Sequence, residues 1–418
     1  MGPTRVTHPV GEADFSRAGA HNHSARSPGS TVDQSRNRAE RWQVMSRLVR
    51  AAVVAVSAAA VVVAAPGADA GQGGLKTVAT GLNNPRHLTV HDGRLYVAEA
   101  GAGGTGKCVE GPEGPACFGL SGSVAQLDGH GGVRRILTGL PSAAAPGGAA
   151  VAGPTDVAFV HGVPALLAGD VLIDPATGAN PFGADGRLLG KLSFAFGPHV
   201  VPGPDFAAFE AKNNPDHGAG ASPDTPVIDS NPFGMTRYRD GFAVADAAGN
   251  DLLYVDGRGR ISVLAVFPPK LVTAPPFLGL PPGTRIPVQS VPTSVVVGPD
   301  GALYVSELSS IAVGAARVWR VVPGQPPKIH ADGFTALTDL AFDRTGRLLA
   351  LTFARDGIAA PPSPGVLTRV ERNGSRTVLA SAGLAAATGL AVRGDEVFVS
   401  SNGTSQGTGS VVRLVPRG

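Results

Sequence analysis

One phrase of the sequence returns almost unchanged in the second half of the chain. The segments HDGRLYVAEA (91–100) and PDGALYVSEL (299–308) both contain an Asp-Gly pair, then Leu-Tyr-Val, then Glu. Asp-Gly is a strong signal for a tight β-hairpin turn, and the apolar run that follows has the composition of a strand. A repeated turn and strand predicts a fold assembled from β-repeats, and it indicates architecture before activity.

Six short apolar segments begin copies of this unit. They are PRHLTV (85–90), PTDVAF (154–159), PFGMTR (232–237), PTSVVV (292–297), LTDLAF (337–342) and ATGLAV (387–392). Four of them are followed at once by a turn and a second strand, and a third strand follows in most copies. The starts lie 69, 78, 60, 45 and 50 residues apart, so the early copies carry insertions. Periods of about 40–50 residues with four strands each are typical of a β-propeller.

The last copy contains only three strands, and the beginning of the chain supplies a fourth. The segment LKTVATGLNNP (75–85) is similar to RRILTGLPS (134–142) and RTVLASAGL (376–384), which stand where fourth strands are expected. Pairing the two termini closes the ring and removes sheet edges that would invite aggregation. We therefore predict an all-β, six-bladed β-propeller over residues 71–418, in which the N- and C-terminal strands share the last blade.

The segment before the repeats has the pattern of a secretory signal peptide. Residues 45–70 contain two arginines, an apolar run over 51–65, and Ala68-Asp69-Ala70 as a cleavage site. The apolar run is shorter than the roughly 20 residues of a transmembrane helix. We expect a secreted protein without a membrane span, cleaved near Ala70. Residues 1–44 are polar and without periodicity, so they are either a start codon assigned too early or a disordered extension.

Charge and composition narrow the partners and the source. Residues 1–70 hold 8 of the 35 basic and 5 of the 32 acidic residues, which leaves 27 of each after cleavage. A formally neutral mature chain gives no indication of nucleic-acid binding. We expect a monomer with an extracellular ligand or protein partner. Arg supplies 29 of the basic residues, and Ala, Gly, Val and Pro abound, which favours a GC-rich, actinobacterial source.

The chain has two cysteines, and both lie in one loop. Cys108 and Cys117 stand nine residues apart within GGTGKCVEGPEGPACFG. An exported chain reaches an oxidising compartment, so we predict one disulfide that pins this loop. Two cysteines exclude a zinc site of the four-cysteine kind.

The insertion before the third repeat and the repeat itself carry the most specific motifs. The motifs are Glu210…Asn213-Asn214-Pro215-Asp216, Asp229-Ser230-Asn231-Pro232 and Val244-Ala245-Asp246…Asn250-Asp251. On these motifs, the sequence from about Leu75 onward resembles the ScyD/ScyE family of secreted NHL-like propeller proteins, and the cysteine pair matches as well. That family has no agreed enzymatic activity, so the resemblance implies an exported propeller and leaves the reaction open.

The third residue of each repeat is expected to face the central channel. These residues are His87, Asp156, Gly234, Ser294, Asp339 and Gly389. Asp156 and Asp339, with His87, are candidates for binding Ca²⁺, which takes 6–8 oxygen ligands that include carbonyls and waters. The alternative is that these groups solvate the channel or bond to the backbone of neighbouring blades.

A second candidate site is a polar rim for a ligand. Phe206 and Phe209 after Pro204-Asp205 predict a short helix covering a channel mouth. The alternative is that the Asn and Asp residues here form turns and cap backbone groups. The predicted rim residues are Glu210, Asn213, Asn214, Asp216, Asn231, Asp246 and Asn250.

A related set of acids ends equivalent second strands. Glu99, Asp246 and Glu307 occupy this position in three of the repeats. We expect acids repeated in this way to pair with arginine or to cap turns between blades.

Two functions remain open on the sequence. The first is a non-enzymatic binding or scaffold module for a small molecule, glycan or protein. The second is a metal-dependent hydrolase of the gluconolactonase type, in which Ca²⁺ polarises a lactone or ester carbonyl and activates water. The His87, Asp156 and Asp339 set does not match the Glu, Asn and Asp ligands typical of that class. The chain also lacks H-E-x-x-H and P-loop motifs, so we favour the binding module.

Overall fold

The computed structural model describes residues 74–415, except 112–113, 130, 147, 170–172, 175–176, 219–227, 310–311 and 359–362. The predicted N-terminal extension (1–44) and signal peptide (45–70) lie outside the described residues. No helix in the described ranges is long and apolar enough to cross a membrane.

Six antiparallel sheets with four main strands each make up the described part of the chain. Blade 1 consists of β2 (Pro85–His91), β3 (Arg94–Glu99), β5 (Gly114–Leu127) and β6 (Val133–Ala145). Blade 2 consists of β8 (Pro154–Val160), β9 (Val163–Ala168), β10 (Lys191–Phe196) and β11 (His199–Asp205). Blade 3 consists of β12 (Pro232–Tyr238), β13 (Gly241–Asp246), β14 (Asp251–Val255) and β15 (Ile261–Val266). Blade 4 consists of β18 (Pro292–Val297), β19 (Leu303–Glu307), β20 (Ala316–Val321) and β21 (Lys328–Phe334). Blade 5 consists of β22 (Leu337–Phe342), β23 (Leu348–Thr352), β24 (Val366–Val370) and β25 (Arg376–Ala380). Blade 6 consists of β26 (Gly389–Arg393), β27 (Glu396–Ser401), β28 (Gly409–Val415) and β1 (Gly74–Leu82).

Smaller elements extend this frame. They are β4 (Cys108–Gly111) and β7 (Ala149–Ala152) on blade 1, the hairpin β16 (Lys270–Thr273) and β17 (Arg285–Val288) with a 3-10 turn at Pro276–Leu278, and helix α1 (Phe206–Asn213). The innermost strands β2, β8, β12, β18, β22 and β26 contact one another in this order, and β26 contacts β2 again. The ring is therefore closed, and the predicted six-bladed β-propeller is confirmed.

The two ends of the described chain meet in blade 6. Strand β1 runs antiparallel to β28, with Leu75 opposite Leu414 and Thr77 opposite Val412. The N-terminal strand thus completes a sheet that the C-terminal segment leaves one strand short, as the sequence predicts.

An apolar core lies between each pair of neighbouring blades. Alternate residues of a strand serve different cores, because every blade is covered on both faces. Leu95 and Val97 pack between blades 6 and 1, whereas Tyr96 packs between blades 1 and 2. Tyr304 of the repeated phrase packs likewise between blades 4 and 5. This explains why the repeated strands are apolar without interruption instead of alternating with polar residues.

Threonine hydroxyls add a polar belt around the inner strands. In four blades the threonine at the second position of the sequence repeat donates a hydrogen bond to the carbonyl oxygen of the first residue of the next repeat. The bonds run from Thr155 Oγ1 to Pro232 O (3.1 Å), Thr293 to Leu337 (3.0 Å), Thr338 to Ala387 (2.9 Å) and Thr388 to Pro85 (2.7 Å). These bonds tie four of the six blades to the next blade at the start of the repeat.

The disulfide predicted from the sequence is present. Cys108 and Cys117 are bonded and lie opposite each other in the β4–β5 hairpin. The bond fixes this hairpin at the edge of blade 1.

The long connections all lie at one end of the propeller. Connections from second to third strands, and from fourth strands to the next blade, lie at the end where inner strands begin. These include the described parts of 169–190 and 206–231, and also 267–291, whereas the turns at the other end, such as 92–93, are short. We call the first of these the loop-bearing end.

Candidate functional site

The channel-facing residues repeat with two-fold symmetry. Their order around the ring is His87, Asp156, Gly234, Ser294, Asp339 and Gly389. An aspartate and then a glycine on successive blades therefore follow His87 in the first half of the ring and Ser294 in the second half. All four side chains of this set that carry polar atoms are buried. The sequence therefore identified groups that lie around one axis, but not groups that are open to solvent.

The two channel carboxylates hold neighbouring blades together. Asp156 Oδ2 accepts a hydrogen bond from the Met235 backbone N–H in blade 3 at 2.8 Å, and its Oδ1 accepts one from its own blade. Asp339 Oδ2 accepts from the Leu390 N–H in blade 6 at 2.6 Å, and its Oδ1 accepts from Ser294 Oγ. All four carboxylate oxygens are thus engaged, which corresponds to the structural alternative considered for the sequence.

These groups do not form a calcium shell in their present arrangement. Among the residues that the structure describes, no group of three or more His, Cys, Asp or Glu side chains is arranged to hold a metal ion. Ca²⁺ needs several oxygens aimed at one point, and those of Asp156 and Asp339 accept bonds within the ring instead. Calcium binding at His87, Asp156 and Asp339 remains a prediction from the sequence.

His87 spans the channel. Its Nδ1 lies 3.2 Å from the Thr155 carbonyl oxygen and must carry the proton of that bond, while Nε2 is 3.8 Å from Asp339 Oδ1. The ring also meets Phe233 edge-on, with centroids 5.3 Å apart. The imidazole of blade 1 therefore reaches blades 2, 3 and 5.

The charges of this group are coupled. Burial disfavours the imidazolium, but the carboxylates of Asp339 and Asp156 outweigh it and raise the pKa of His87. Burial raises the pKa of Asp156 to about 7, against the opposing effect of His87. Burial also raises the pKa of Asp339. The imidazole and the two carboxyl groups thus compensate one another inside the ring.

The two channel glycines are required by close backbone approach. A Cβ on Gly389 would lie 2.3 Å from the Arg86 carbonyl oxygen, and one on Gly234 would lie 2.6 Å from that of Thr293. Blades 3 and 6 therefore approach the following blade too closely for any side chain at these positions.

Sequence reasoning missed Arg86. It occupies the position that threonine holds in four other inner strands, and it is buried. Its guanidinium donates to the Gly403 carbonyl, and its Nε has no hydrogen-bond partner. Burial lowers its pKa to about 10. The available signal was the departure from the threonine pattern.

The predicted rim residues are brought together beside blade 3, but most of them are buried. Asp246 accepts hydrogen bonds from the Asn231 and Gly249 backbone N–H groups and from Ser230 Oγ. These bonds match the alternative in which Asp and Asn cap turns.

Three more of the predicted asparagines, Asn213, Asn214 and Asn250, also have structural roles. Asn250 Nδ2 donates to Asp216 Oδ2 at 2.9 Å, and Asn250 Oδ1 accepts from the Val291 N–H. Asn213 donates to the Phe209 carbonyl oxygen, and Asn214 takes a left-handed conformation at the end of α1. The region is a buried polar network more than an open rim.

Helix α1 is present as predicted. Asp205 caps its N-terminus by accepting from the Ala208 N–H at 2.9 Å. Phe206 is fully buried in the core between blades 2 and 3, and Phe209 packs on the same core. The helix is therefore anchored over this interface between blades.

Four acids converge on this region, and we call Glu210, Asp216, Asp246 and Asp251 the acidic cluster. Burial, and then the carboxylates of Asp246, Asp216 and Asp229, raise the pKa of Glu210 to about 9. Burial, and then Asp246, Glu210 and Asp216, raise the pKa of Asp251 well above its usual value. Asp251 was not among the predicted site residues.

The acids that end β3 and β19 behave as predicted. Glu99 accepts two hydrogen bonds from Arg135, both at 2.8 Å. Glu307 accepts from Arg317 and also from Trp319 Nε1. The expectation of arginine pairing is therefore confirmed for these two acids, whereas Asp246 caps a turn.

A groove of about 410 Å³ lies between blades 5 and 6, away from both sites. Its floor includes Leu349, Val392 and Leu414, and none of the predicted site residues lines it. Arg347 and Arg369 at its edge are ion-paired.

No family model matches the sequence, and no curated relative matches it. Solved structures with a similar fold include virginiamycin B lyase from Staphylococcus aureus, at 11% identity and a TM-score of 0.43, with 82% of this chain and 99% of that chain covered. The PQQ-bound form of aldose sugar dehydrogenase from Streptomyces coelicolor is 13% identical, with a TM-score of 0.45 and coverage of 84% and 99%. A luciferin-regenerating enzyme is 7% identical, with a TM-score of 0.45 and coverage of 83% and 96%. The assignment of the fold rests on the strand pairing above and not on these similarities.

Proposed function

We propose that the protein is an exported binding module of the ScyD/ScyE type, and that its loop-bearing end contacts a partner protein. The propeller supplies a rigid frame, and the long connections supply the surface. Loops held on a rigid scaffold are where binding residues are concentrated in proteins.

The engagement of the channel carboxylates is the observation that carries this proposal. Asp156 and Asp339 use every oxygen to accept hydrogen bonds, mostly from backbone N–H groups of their own and the next blade. A hydrolase that worked here would need those oxygens for a metal ion or for a proton. The groups that suggested chemistry thus act as links between blades.

Exposed apolar side chains at the loop-bearing end favour a protein as the ligand. Leu271 (60% exposed) and Phe277 (59%) project from the β16–β17 insertion, and Val313 (68%) lies in the connection after β19. Exposed apolar groups supply contact area for a partner at the end that carries the long connections. Leucine, phenylalanine and valine side chains bury area against a protein but offer no hydrogen bonds to a sugar.

A matched pair of variants tests this proposal. Phe277→Ser alters the loop-bearing end, whereas Phe196→Ser removes a side chain of similar exposure (56%) beside a turn at the other end. Purified wild-type protein is used to capture a partner from the surface and medium of the producing cells by cross-linking, and the affinity for that purified partner is then measured. We expect Phe277→Ser to weaken binding and Phe196→Ser to leave it unchanged.

Equal binding by both variants would contradict the assignment of the surface. Binding of a purified glycan or small molecule instead of a protein would contradict the ligand class.

The alternative is the metal-dependent lactonase, and it requires its own assay. The wild-type protein and Asp339→Asn are tested on lactones and esters with and without Ca²⁺. The binding-module proposal predicts no turnover by either. Calcium-dependent turnover that Asp339→Asn abolishes would establish the alternative.

A further inference from the structure

We propose that the acidic cluster of blade 3 binds one Ca²⁺ ion, with the carboxylates of Glu210 and Asp251 as its anionic ligands. This inference concerns a different site from the partner surface and does not depend on it.

The acid that ends the second strand pairs with an arginine in blades 1 and 4, but blade 3 lacks this pairing. Glu307 in blade 4 pairs with Arg317 on the neighbouring strand, and in blade 1 Glu99 pairs with Arg135. In blade 3 the residue directly opposite Asp246 on the neighbouring strand is Asp251. In blade 3 two acids therefore face each other, whereas the corresponding acid of blades 1 and 4 is paired with an arginine.

Two of these acids keep oxygens without hydrogen bonds. Asp251 is fully buried, and neither of its carboxylate oxygens has a partner. Glu210 is also buried, and its Oε1 has no partner. A buried polar atom without a partner is costly, because it has lost its water without gaining a replacement. Such atoms indicate a ligand that satisfies them.

The charges that act on these two groups come from other acids. Asp246 and Asp216 act on both Glu210 and Asp251, and no Lys or Arg of the described residues contributes. Like charges in a confined site destabilise one another, so a cation or protons must compensate them.

Gly249, in the turn after β13, lies against this cluster. A Cβ on Gly249 would lie 3.4 Å from Glu210 Oε2 and 3.3 Å from the Asp246 carboxyl carbon. Since no three acidic side chains of the described residues already form a metal shell, the two carboxylates must be supplemented. Ca²⁺ accepts backbone and amide carbonyls and waters as further ligands, and its coordination is flexible.

An ion at this point would tie the inserted helix to blade 3. Glu210 lies on α1, and Asp251 begins β14. The insertion would then be fixed to the propeller by metal coordination as well as by Phe206.

Calcium titration of the purified protein tests the proposal. The protein is treated with a chelator, exchanged into chelator-free buffer and titrated with CaCl₂ to about 10 mM, above the roughly millimolar affinities of extracellular calcium modules. We expect the melting temperature to rise with Ca²⁺ concentration, because the ion binds the native state. Calorimetry should give one ion per chain.

Three variants locate the ion. Glu210→Gln and Asp251→Asn should each abolish the calcium-dependent shift, and both preserve side-chain shape. Glu210→Gln alters the insertion and not a blade strand, so it serves if Asp251→Asn does not fold. Asp339→Asn is the control and should retain the full shift.

Two results would overturn the inference. Loss of the shift in Asp339→Asn with retention in Glu210→Gln would assign the ion to the channel. Absence of any shift in the wild-type protein, with stabilisation on acidification alone, would show that protons and not a cation neutralise the cluster.

Discussion

Removing the charge of Glu307 tests whether the acid at the end of β19 stabilises blade 4. The side chain is fully buried, and Oε2 accepts from Arg317 Nε at 2.7 Å. Oε1 accepts from Arg317 Nη2 (2.7 Å), Ser290 Oγ (2.6 Å) and Trp319 Nε1 (2.6 Å). The Arg317 guanidinium also lies over the Trp319 ring at 4.6 Å. Glu307→Gln keeps the shape of the side chain but leaves Arg317 charged and buried.

The expected loss in the free energy of unfolding is large because Glu307→Gln leaves the buried charge of Arg317 without a counterion. Breaking a buried ion pair by removing one partner costs about 3–5 kcal/mol. The pair of Arg344 and Asp395 is a matched control, since both side chains are 69% exposed. Exposed pairs contribute about 0–1 kcal/mol, so Asp395→Asn should have little effect. Adding Arg317→Met to Glu307→Gln should recover part of the loss, because no buried charge then remains.

Urea unfolding gives the free energies of unfolding for this comparison. The slopes with urea must agree among the variants for the differences to report stability. If Glu307→Gln and Asp395→Asn destabilise equally with equal slopes, the buried pair does not anchor the blade and the reasoning is wrong.

Four further outcomes are expected. In the presence of a chelator, the pKa of Glu210 is raised to about 9 from an ordinary 4.5, so protonation of this carboxyl group stabilises the folded state. This contribution is full below pH 4.5 and is lost as the pH rises toward 9. Glu210→Gln should therefore flatten the dependence of the free energy of unfolding on pH over this range. Gly389→Ala should cost about 1–3 kcal/mol in urea unfolding, because its Cβ would lie 2.3 Å from a carbonyl oxygen of blade 1. Replacing both Cys108 and Cys117 by serine should cost about 2–3 kcal/mol without loss of the propeller circular dichroism spectrum, because the loop is short. N-terminal sequencing of the secreted protein should begin near Gly71, and a chain that retains Trp42 would refute the cleavage prediction.

The repeat carries most of the fold because its information is local. The Asp92-Gly93 turn adopts positive φ at both residues, and the apolar run after it becomes β3. The same pattern recurs at β19, so strand order and blade number follow from periodicity alone. The shared last blade was predictable as well. The final repeat has only three strands, and the segment before Pro85 is similar to the fourth strands of other repeats.

The candidate sites were predicted less well, because their state depends on contacts between distant residues. The sequence placed Asp156 at the channel, but its partner Met235 is 79 residues further along the chain. Arg86 and Asp251 were overlooked because their burial depends on contacts that only the folded chain makes, although Arg86 departs from the threonine pattern of the repeats.

The sequence by itself determined the all-β class, six blades, ring closure and the disulfide, because turns, strand periodicity and cysteine number act through neighbours in the chain. The tertiary structure decided how each polar group is used. Closing the ring brought the N–H groups of Met235 and Leu390 to the two channel carboxylates and satisfied them. Folding also buried Glu210 on α1 and Asp251 at the start of β14, with oxygens that have no partner. Burial and pairing are properties of neighbours in space, and only the folded chain sets them.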